Sequence, residues 1–219
     1  NTPTQIFAAP LQVKTPEIRK DKSLLSQHSQ IVFSPHHHNC ATCSSAPGSL
    51  SSNPMKDQIL LVVHQETSNP GRVGRQLRAR GYALDIRLPS GGDALPTSMD
   101  QHSGAIIFGG PASANDDHLD YIRREIDWIS VVLKSGKPFL GICLGAQMMV
   151  RNLGGKVARH PDGLVEIGYH SLEPTAQGGE IFPGPMNFYQ WHKEGFDLPS
   201  GAERLATGRV FENQAFRLG

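Results

Sequence analysis

Cys143 lies in a stretch whose residue types suit nucleophilic catalysis. The segment Gly141-Ile142-Cys143-Leu144-Gly145 has the form G-x-nucleophile-x-G, in which small flanking residues let a strand and a helix meet at a sharp turn. A helix predicted over 146–152 would place the thiol at a helix N-terminus, which favours the thiolate. The alternative is a buried cysteine that packs as a small hydrophobic residue between two glycines.

A second glycine-containing turn follows another predicted strand, at Phe108-Gly109-Gly110-Pro111. Glycines there let main-chain amides approach a ligand closely. Attack on an amide carbonyl produces an oxyanion that needs two preorganised donors, each worth about 3–4 kcal/mol. The amides of Gly110 and Leu144 are the predicted donors, and the alternative is a simple tight turn.

A thiol nucleophile also needs a base, and the base needs an orienting carboxylate. His192 and Glu194 are spaced H-x-E, and two residues at that spacing in one strand would point the same way. The alternative for His192 is a residue that lines the pocket beside the substrate. His64, His160 and His170 have no partner that the sequence identifies, so surface or core roles are predicted for them.

The elements that must position these residues alternate between strand and helix. Short apolar runs predict strands over 59–63, 83–88, 105–108 and 139–142, while helices are predicted over 72–80 and from Leu119 to a stop at Gly136. Such alternation predicts an α/β fold, a mostly parallel sheet with helices on both faces. Beyond Gly154 the sequence predicts shorter strands in a mixed or antiparallel continuation, over 156–158, 165–172, 187–191 and 204–207.

Composition narrows the possible functions. The formal net charge is +1, so bulk electrostatics do not favour nucleic acid or an anionic membrane. No apolar run reaches the roughly 18 residues of a membrane span, and no secretory signal is evident, so we expect a cytoplasmic protein. With only three cysteines, two of them close together at Cys40 and Cys43, a disulfide framework is not expected.

Residues 1–54 differ from residues 55–219 in amino-acid composition and in the periodicity of apolar residues. The first segment is rich in Pro, Ser, His, Asn and Thr without sustained periodicity, which predicts a loosely ordered or non-native extension. Within it, His36-His37-His38-Asn39-Cys40 and Cys43 offer ligand types that zinc prefers. A lone Cys-x-x-Cys is weak evidence, so we predict no metal site.

Four segments resemble class I glutamine amidotransferases, and standalone GMP synthase-like members in particular. The likeness covers nearly all of 55–219. The segments that carry it are Ile106-Ile107-Phe108-Gly109-Gly110-Pro111, Pro138-Phe139-Leu140-Gly141-Ile142-Cys143-Leu144-Gly145-Ala146-Gln147, Glu166-Ile167-Gly168 and Gln190-Trp191-His192-Lys193-Glu194-Gly195-Phe196.

The resemblance implies a flavodoxin-like three-layer sandwich that hydrolyses glutamine through a γ-glutamyl thioester, without a cofactor. It implies that Cys143 is the nucleophile, that Gly110 and Leu144 form the oxyanion hole, and that Gly109 and Gln147 bind the substrate. Family members carry the catalytic His and Glu in a Phe-His-Pro-Glu segment expected beyond Gly219. We therefore expect the 219 residues to be a C-terminally truncated fragment with little or no turnover.

Three functions are consistent with these residues. The first is an amidotransferase that passes ammonia from glutamine to an acceptor synthase domain or enzyme. The second is a cysteine hydrolase of γ-glutamyl compounds, for which the same thiol and pocket would serve. The third is a catalytically inactive module that binds a small molecule or a synthase partner.

Overall fold

The computed structural model describes residues 31–34 and 57–219, the first group by its backbone only. These described residues form three α-helices and eleven strands, an α/β fold that confirms the predicted class. The helices are α1 (Gly71–Ala79), α2 (Asp120–Ser135) and α3 (Leu144–Asn152). The strands are β1 (Ile31–Ser34), β2 (Gln58–Val62), β3 (Ala83–Arg87), β4 (Gly104–Ile107), β5 (Phe139–Ile142), β6 (Val157–Arg159), β7 (Glu166–Pro174), β8 (Met186–His192), β9 (Glu194–Phe196), β10 (Ala202–Thr207) and β11 (Asn213–Leu218).

One half of the main sheet is parallel. Strands β3, β2, β4 and β5 lie side by side in that order. The chain passes from β2 to β3 on one side and then to β4 on the other, so the strand order reverses at β2. Open α/β sheets bind ligands at the carboxyl ends of strands beside such a reversal, which is where the predicted site residues follow β4 and β5.

Both faces of this parallel half are covered by helices. Alternate residues of β2 serve the two faces: Ile59 and Leu61 pack with α1, whereas Leu60 and Val62 belong to the larger core under α2 and α3. This alternation explains why β2 reads as a continuous apolar run. Helix α2 ends where predicted, at Gly136, whose φ of 70° is one that glycine adopts without steric cost.

The other half of the main sheet is mixed, as predicted for the C-terminal part. Strand β11 pairs antiparallel with β10, β10 pairs antiparallel with β7, and β7 pairs antiparallel with β8. A separate ribbon joins β6 and β9, with Arg159 opposite Glu194. The short strand β9 and the last strand β11 were not predicted from the sequence.

Strand β1 occupies an unexpected position between the two halves. It pairs antiparallel with β5 and parallel with β11, although it lies inside the segment predicted to be loosely ordered. The remainder of 1–54, including the His and Cys residues considered for zinc, lies outside the described residues. The boundary at residue 54 therefore stays a prediction.

None of the helices described over 57–219 is long and apolar enough to cross a bilayer.

The first turn of α3 lies against the end of β4 without room for a side chain. A Cβ built on Gly145 would come 2.2 Å from the main-chain oxygen of Ile107, a distance that no rotamer can relieve. Gly184, in contrast, has no heavy atom within 4 Å of the equivalent position.

We therefore expect Gly145→Ala to lower the free energy of unfolding by about 1–3 kcal/mol, because the helix must move away from the strand. Urea denaturation followed by circular dichroism measures this difference. Gly184→Ala is the matched control and should stay within about 0.5 kcal/mol of the original chain. Equal stability of the two variants would show that α3 is not held against β4.

Candidate active site

The backbone of Cys143 has the strained conformation expected of a nucleophile elbow. Its φ of 52° and ψ of −107° make it the only non-glycine residue with positive φ within 57–219. Such a conformation costs about 1–3 kcal/mol and persists only where neighbouring structure enforces it. A Cβ on Gly141 would lie 2.7 Å from backbone atoms of Gly145 and Ala146, so the flanking glycines are sterically required.

The thiol of Cys143 is largely covered, with 5% of the residue exposed. Burial raises its pKa to about 12, the Leu144 N–H that faces the sulfur lowers it in part, and the negative charge of Glu194 raises it further. The N–H at the start of α3 thus favours the thiolate, as expected, but burial outweighs this effect. The sulfur stays protonated near neutral pH and needs a base to become nucleophilic.

The turn that follows β4 lies beside the elbow. Ile107 pairs with Gly141 in the sheet, and the Phe108 N–H donates to the Val62 oxygen at 3.0 Å, which extends the ladder between β2 and β4 to Phe108. A Cβ on Gly110 would lie 2.8 Å from both Cβ and Cγ of His64. The side chain of His64 therefore leaves no room for a side chain at position 110.

Glu194 joins the elbow to the segment beyond that turn. Its carboxylate accepts a hydrogen bond from Ser113 Oγ at 2.7 Å and is close enough to raise the pKa of Cys143. Its main-chain oxygen accepts a hydrogen bond from Gln147 Nε2 at 3.0 Å. The structure thus brings Cys143, Gln147 and Glu194 together, as a shared site requires.

His192 contacts the main chain of Glu194. Strand β8 ends at His192 and β9 begins at Glu194, so the two residues do not share one strand face. Nδ1 of His192 lies 3.0 Å from the main-chain oxygen of Glu194, and Nε2 lies 2.8 Å from Glu166 Oε2. With both ring nitrogens engaged, His192 would have to exchange one of these partners before it could accept a proton from the thiol.

Glu166 anchors a buried polar network behind His192. It is fully buried, and Gln214 Nε2 donates to its Oε2 at 2.8 Å while Gln190 Nε2 donates to Gln214 Oε1 at 3.2 Å. Burial opposes ionisation of Glu166, but the hydrogen bonds of His192 and Gln214 outweigh it and hold its pKa below the ordinary value of 4.5. Glu166 is therefore a carboxylate that fixes the ring of His192.

Sequence reasoning did not assign roles to Ser113, Glu166 or the pair of His64 and Glu125. Glu166 and His192 face each other in the register of β7 and β8, and this pairing was hidden because strand register is not visible in one sequence. His64 lies in the core, one of the two roles predicted for it. The sequence did not identify a partner for its ring, but Nε2 lies 2.9 Å from Glu125 Oε2, and both side chains are fully buried.

Within residues 57–219, no group of three or more His, Cys, Asp or Glu side chains is arranged to hold a metal ion.

The glutamine amidotransferase class-I family model matches residues 61–213, which span the elbow, the glycine turn and the β8–β9 region. This chain belongs to the class I glutamine amidotransferase family. The resemblance recognised in the sequence is thereby confirmed, as is the fold that it implied.

Relatives within this family differ in the reactions their names describe. The glutamine amidotransferase-like protein YfeJ of Salmonella typhimurium is 27% identical over 171 residues, 74% of this chain and 71% of that protein. The glutamine-hydrolysing GMP synthase of Aeropyrum pernix is 30% identical over 61% of this chain, which spans 25% of that synthase. γ-Glutamyl peptidase 4 of Arabidopsis thaliana is 30% identical over 55% of this chain and 50% of that protein.

Solved structures support the same assignment. A glutamine amidotransferase from Thermotoga maritima superposes with a TM-score of 0.67 and 30% identity, covering 74% of each chain. At this similarity the two chains share one fold.

We expect Glu166→Gln to lower the free energy of unfolding by about 1–3 kcal/mol at neutral pH, since it removes a buried charged acceptor. The pKa of Glu166 is lowered in the folded state, so its ionised form stabilises the fold above the unfolded-state pKa. That contribution is lost as the pH falls through the folded-state pKa. The difference between the variant and the original chain should therefore shrink on acidification.

Urea titrations at a series of pH values measure that difference. Exposed Glu180 offers a control, since Glu180→Gln should stay within about 0.5 kcal/mol. A gap between the original chain and Glu166→Gln that widens in acid would contradict a buried carboxylate.

The raised pKa of Cys143 predicts slow alkylation by iodoacetamide near neutral pH, because only the thiolate reacts. In a Cys40→Ser/Cys43→Ser background, Cys143 is the sole thiol of the three in the sequence. The logarithm of the rate should rise by about one for each pH unit between about pH 7 and 10, without a plateau. Mass spectrometry follows the reaction, and a plateau near neutral pH would show that the thiol is already ionised.

Proposed function

We propose that this protein hydrolyses the side-chain amide of glutamine through Cys143. The observation that carries the proposal is the enforced backbone of Cys143, held at positive φ between two glycines with the Leu144 N–H directed at the sulfur. An alternative role as a packing cysteine offers no reason for that strain.

The proposed reaction has two steps, formation of a thioester and its hydrolysis. The sulfur attacks the amide carbon of the substrate as a base removes the thiol proton, and the tetrahedral intermediate expels ammonia after the proton reaches the nitrogen. A γ-glutamyl thioester remains on Cys143. Water then attacks the thioester carbon, the C–S bond breaks, glutamate leaves, and the sulfur of Cys143 takes a proton from the water to regenerate the thiol.

Main-chain donors and nearby side chains supply the remaining roles. The amides of Gly110 and Leu144 are proposed to stabilise the oxyanion, in keeping with the position of the Leu144 N–H against the sulfur. Gly109 and Gln147 are proposed to contact the glutamine. Gln147 also donates to the Glu194 main chain, so it would place the β8–β9 turn against the substrate.

We propose that the base is a His-x-Glu pair of the kind that the resemblance to this family implies. His192 with Glu194 is the alternative base within these residues. The contacts of His192 with Glu166 and with the Glu194 main chain favour a supporting role, because its ring already lies between a buried carboxylate and a main-chain oxygen.

The released ammonia is proposed to pass to an acceptor enzyme or synthase domain. Support comes from the similarity to the glutamine-hydrolysing GMP synthase, of which this chain matches one quarter. The cytoplasm is the expected location, since a catalytic thiol stays reduced there.

A second candidate reaction is hydrolysis of γ-glutamyl peptides. The similarity to γ-glutamyl peptidase 4 favours it, and the chemistry differs only in the leaving amine. The same thioester would form, with an amino acid or peptide amine released in place of ammonia.

We expect Cys143→Ala to reduce amide hydrolysis by the natural full-length protein by a factor of at least about 10³, because it removes the nucleophile while changing little packing. Cys43→Ala is the matched control and should retain activity. Ammonia release from glutamine, compared with cleavage of γ-glutamyl peptides, identifies the substrate. Turnover by Cys143→Ala equal to that of the control would overturn the assignment, and inactivity toward both substrates would leave a binding module.

A further inference from the structure

A buried histidine and a buried glutamate lie next to the glycine turn at 108–111, and the histidine contacts this turn directly. His64 follows β2, and its ring contacts the turn in two ways: Nδ1 lies 3.0 Å from the Gly109 oxygen, and the ring atoms leave no room for a Cβ on Gly110. Nε2 lies 2.9 Å from Glu125 Oε2 in α2. Ser90 Oγ donates to the main-chain oxygen of His64 at 3.0 Å, which holds the backbone of His64 in place.

The hydrogen-bond partners of His64 determine where protons must lie. A carbonyl oxygen only accepts, so Nδ1 must carry a proton and donate it to Gly109. Nε2 then either donates to an ionised Glu125 or accepts from a protonated one. Both side chains are fully buried, and Glu125 Oε1 has no hydrogen-bonding partner among residues 57–219. Burying this carboxyl group costs free energy. The contact that offsets part of this cost is the one with the ring of His64.

The hydrogen bond from His64 Nδ1 to the Gly109 oxygen sets the orientation of the peptide plane between Gly109 and Gly110. The described residues contain no cis peptide bonds, so the carbonyl of Gly109 and the N–H of Gly110 point in opposite directions in one rigid plane. Holding the carbonyl toward His64 turns the N–H of Gly110 away from it. A two-glycine segment has no side chains to restrict its own rotation, so an external contact is needed to fix this plane.

We propose that His64 and Glu125 are positioning residues that preorganise the Gly110 N–H as an oxyanion donor, a role that rests on the proposed function. Neither side chain touches the substrate. Glu125 holds Nε2, so that Nδ1–H remains directed at the Gly109 carbonyl, and this carbonyl orients the donor. Donors fixed before the reaction act at full strength, because no reorganisation is needed as charge develops.

Replacement of both partners tests the proposal without leaving a buried charge unpaired. In His64→Phe/Glu125→Met the ring volume and the apolar packing are kept, so stability should change little. We expect kcat to fall about 10- to 100-fold with KM within about 3-fold, since the lost contact acts on the transition state. Glu125→Gln is the conservative rescue: its amide can donate to Nε2 while Nδ1–H still donates to Gly109, so kcat should stay within about 5-fold. Steady-state ammonia release by the natural full-length protein measures both.

Two readouts do not depend on activity. Crystal structures of the original protein and the double variant should show the Gly109–Gly110 peptide plane rotated in the variant only. Long-range ¹H–¹⁵N NMR of the original protein should show a protonated Nδ1 on His64, even if the double variant fails to fold. An unchanged peptide plane, an unprotonated Nδ1 or an unchanged kcat in the double variant would overturn the positioning role. If the original protein did not hydrolyse glutamine, the proposed function would be overturned instead. The orientation of the peptide plane and the proton on Nδ1 would then still test whether His64 orients the turn.

Discussion

The close approach of α3 to the ends of β4 and β5 is the constraint on which the site depends. Gly145 lies so near the Ile107 oxygen, and Gly141 so near the start of α3, that neither position has room for a Cβ. With strand and helix this close, the chain can turn between them only through the strained backbone of Cys143. The packing of the whole parallel half therefore stabilises one unfavourable residue, and that residue presents a sulfur to the edge of the sheet.

Two buried histidine–glutamate pairs lie behind the polar segments that meet at this edge. His64 and Glu125 lie behind the glycine turn after β4, while His192 and Glu166 lie behind the turn from β8 to β9. Each pair joins distant parts of the chain and contacts the main chain of its turn, at Gly109 and Glu194 respectively. Because losing a partner is costly for a buried polar group, each pair restricts the motion of the turn that it contacts. The site is thus built mainly from main-chain groups whose directions are set by buried side chains.

Burial also determines the resting state of the thiol. The amide of Leu144 favours the thiolate, but the loss of solvation and the charge of Glu194 act in the opposite direction and raise the pKa. A protonated, covered sulfur is protected from adventitious reaction. Under the proposed function, its activation would depend on a base and a substrate reaching the elbow.

The sequence by itself determined the local features. The apolar run of β2, the helical spacing in α2 and its stop at Gly136, and the spacing of Gly141, Cys143 and Gly145 all follow from neighbouring residues, so the α/β class and the elbow could be predicted. Only the tertiary structure decided that Glu125 meets His64 and that Glu166 meets His192, since these contacts join elements remote in the chain. It also decided the ionisation of Cys143, because desolvation depends on everything packed around the sulfur and leaves no signal in the residues beside it.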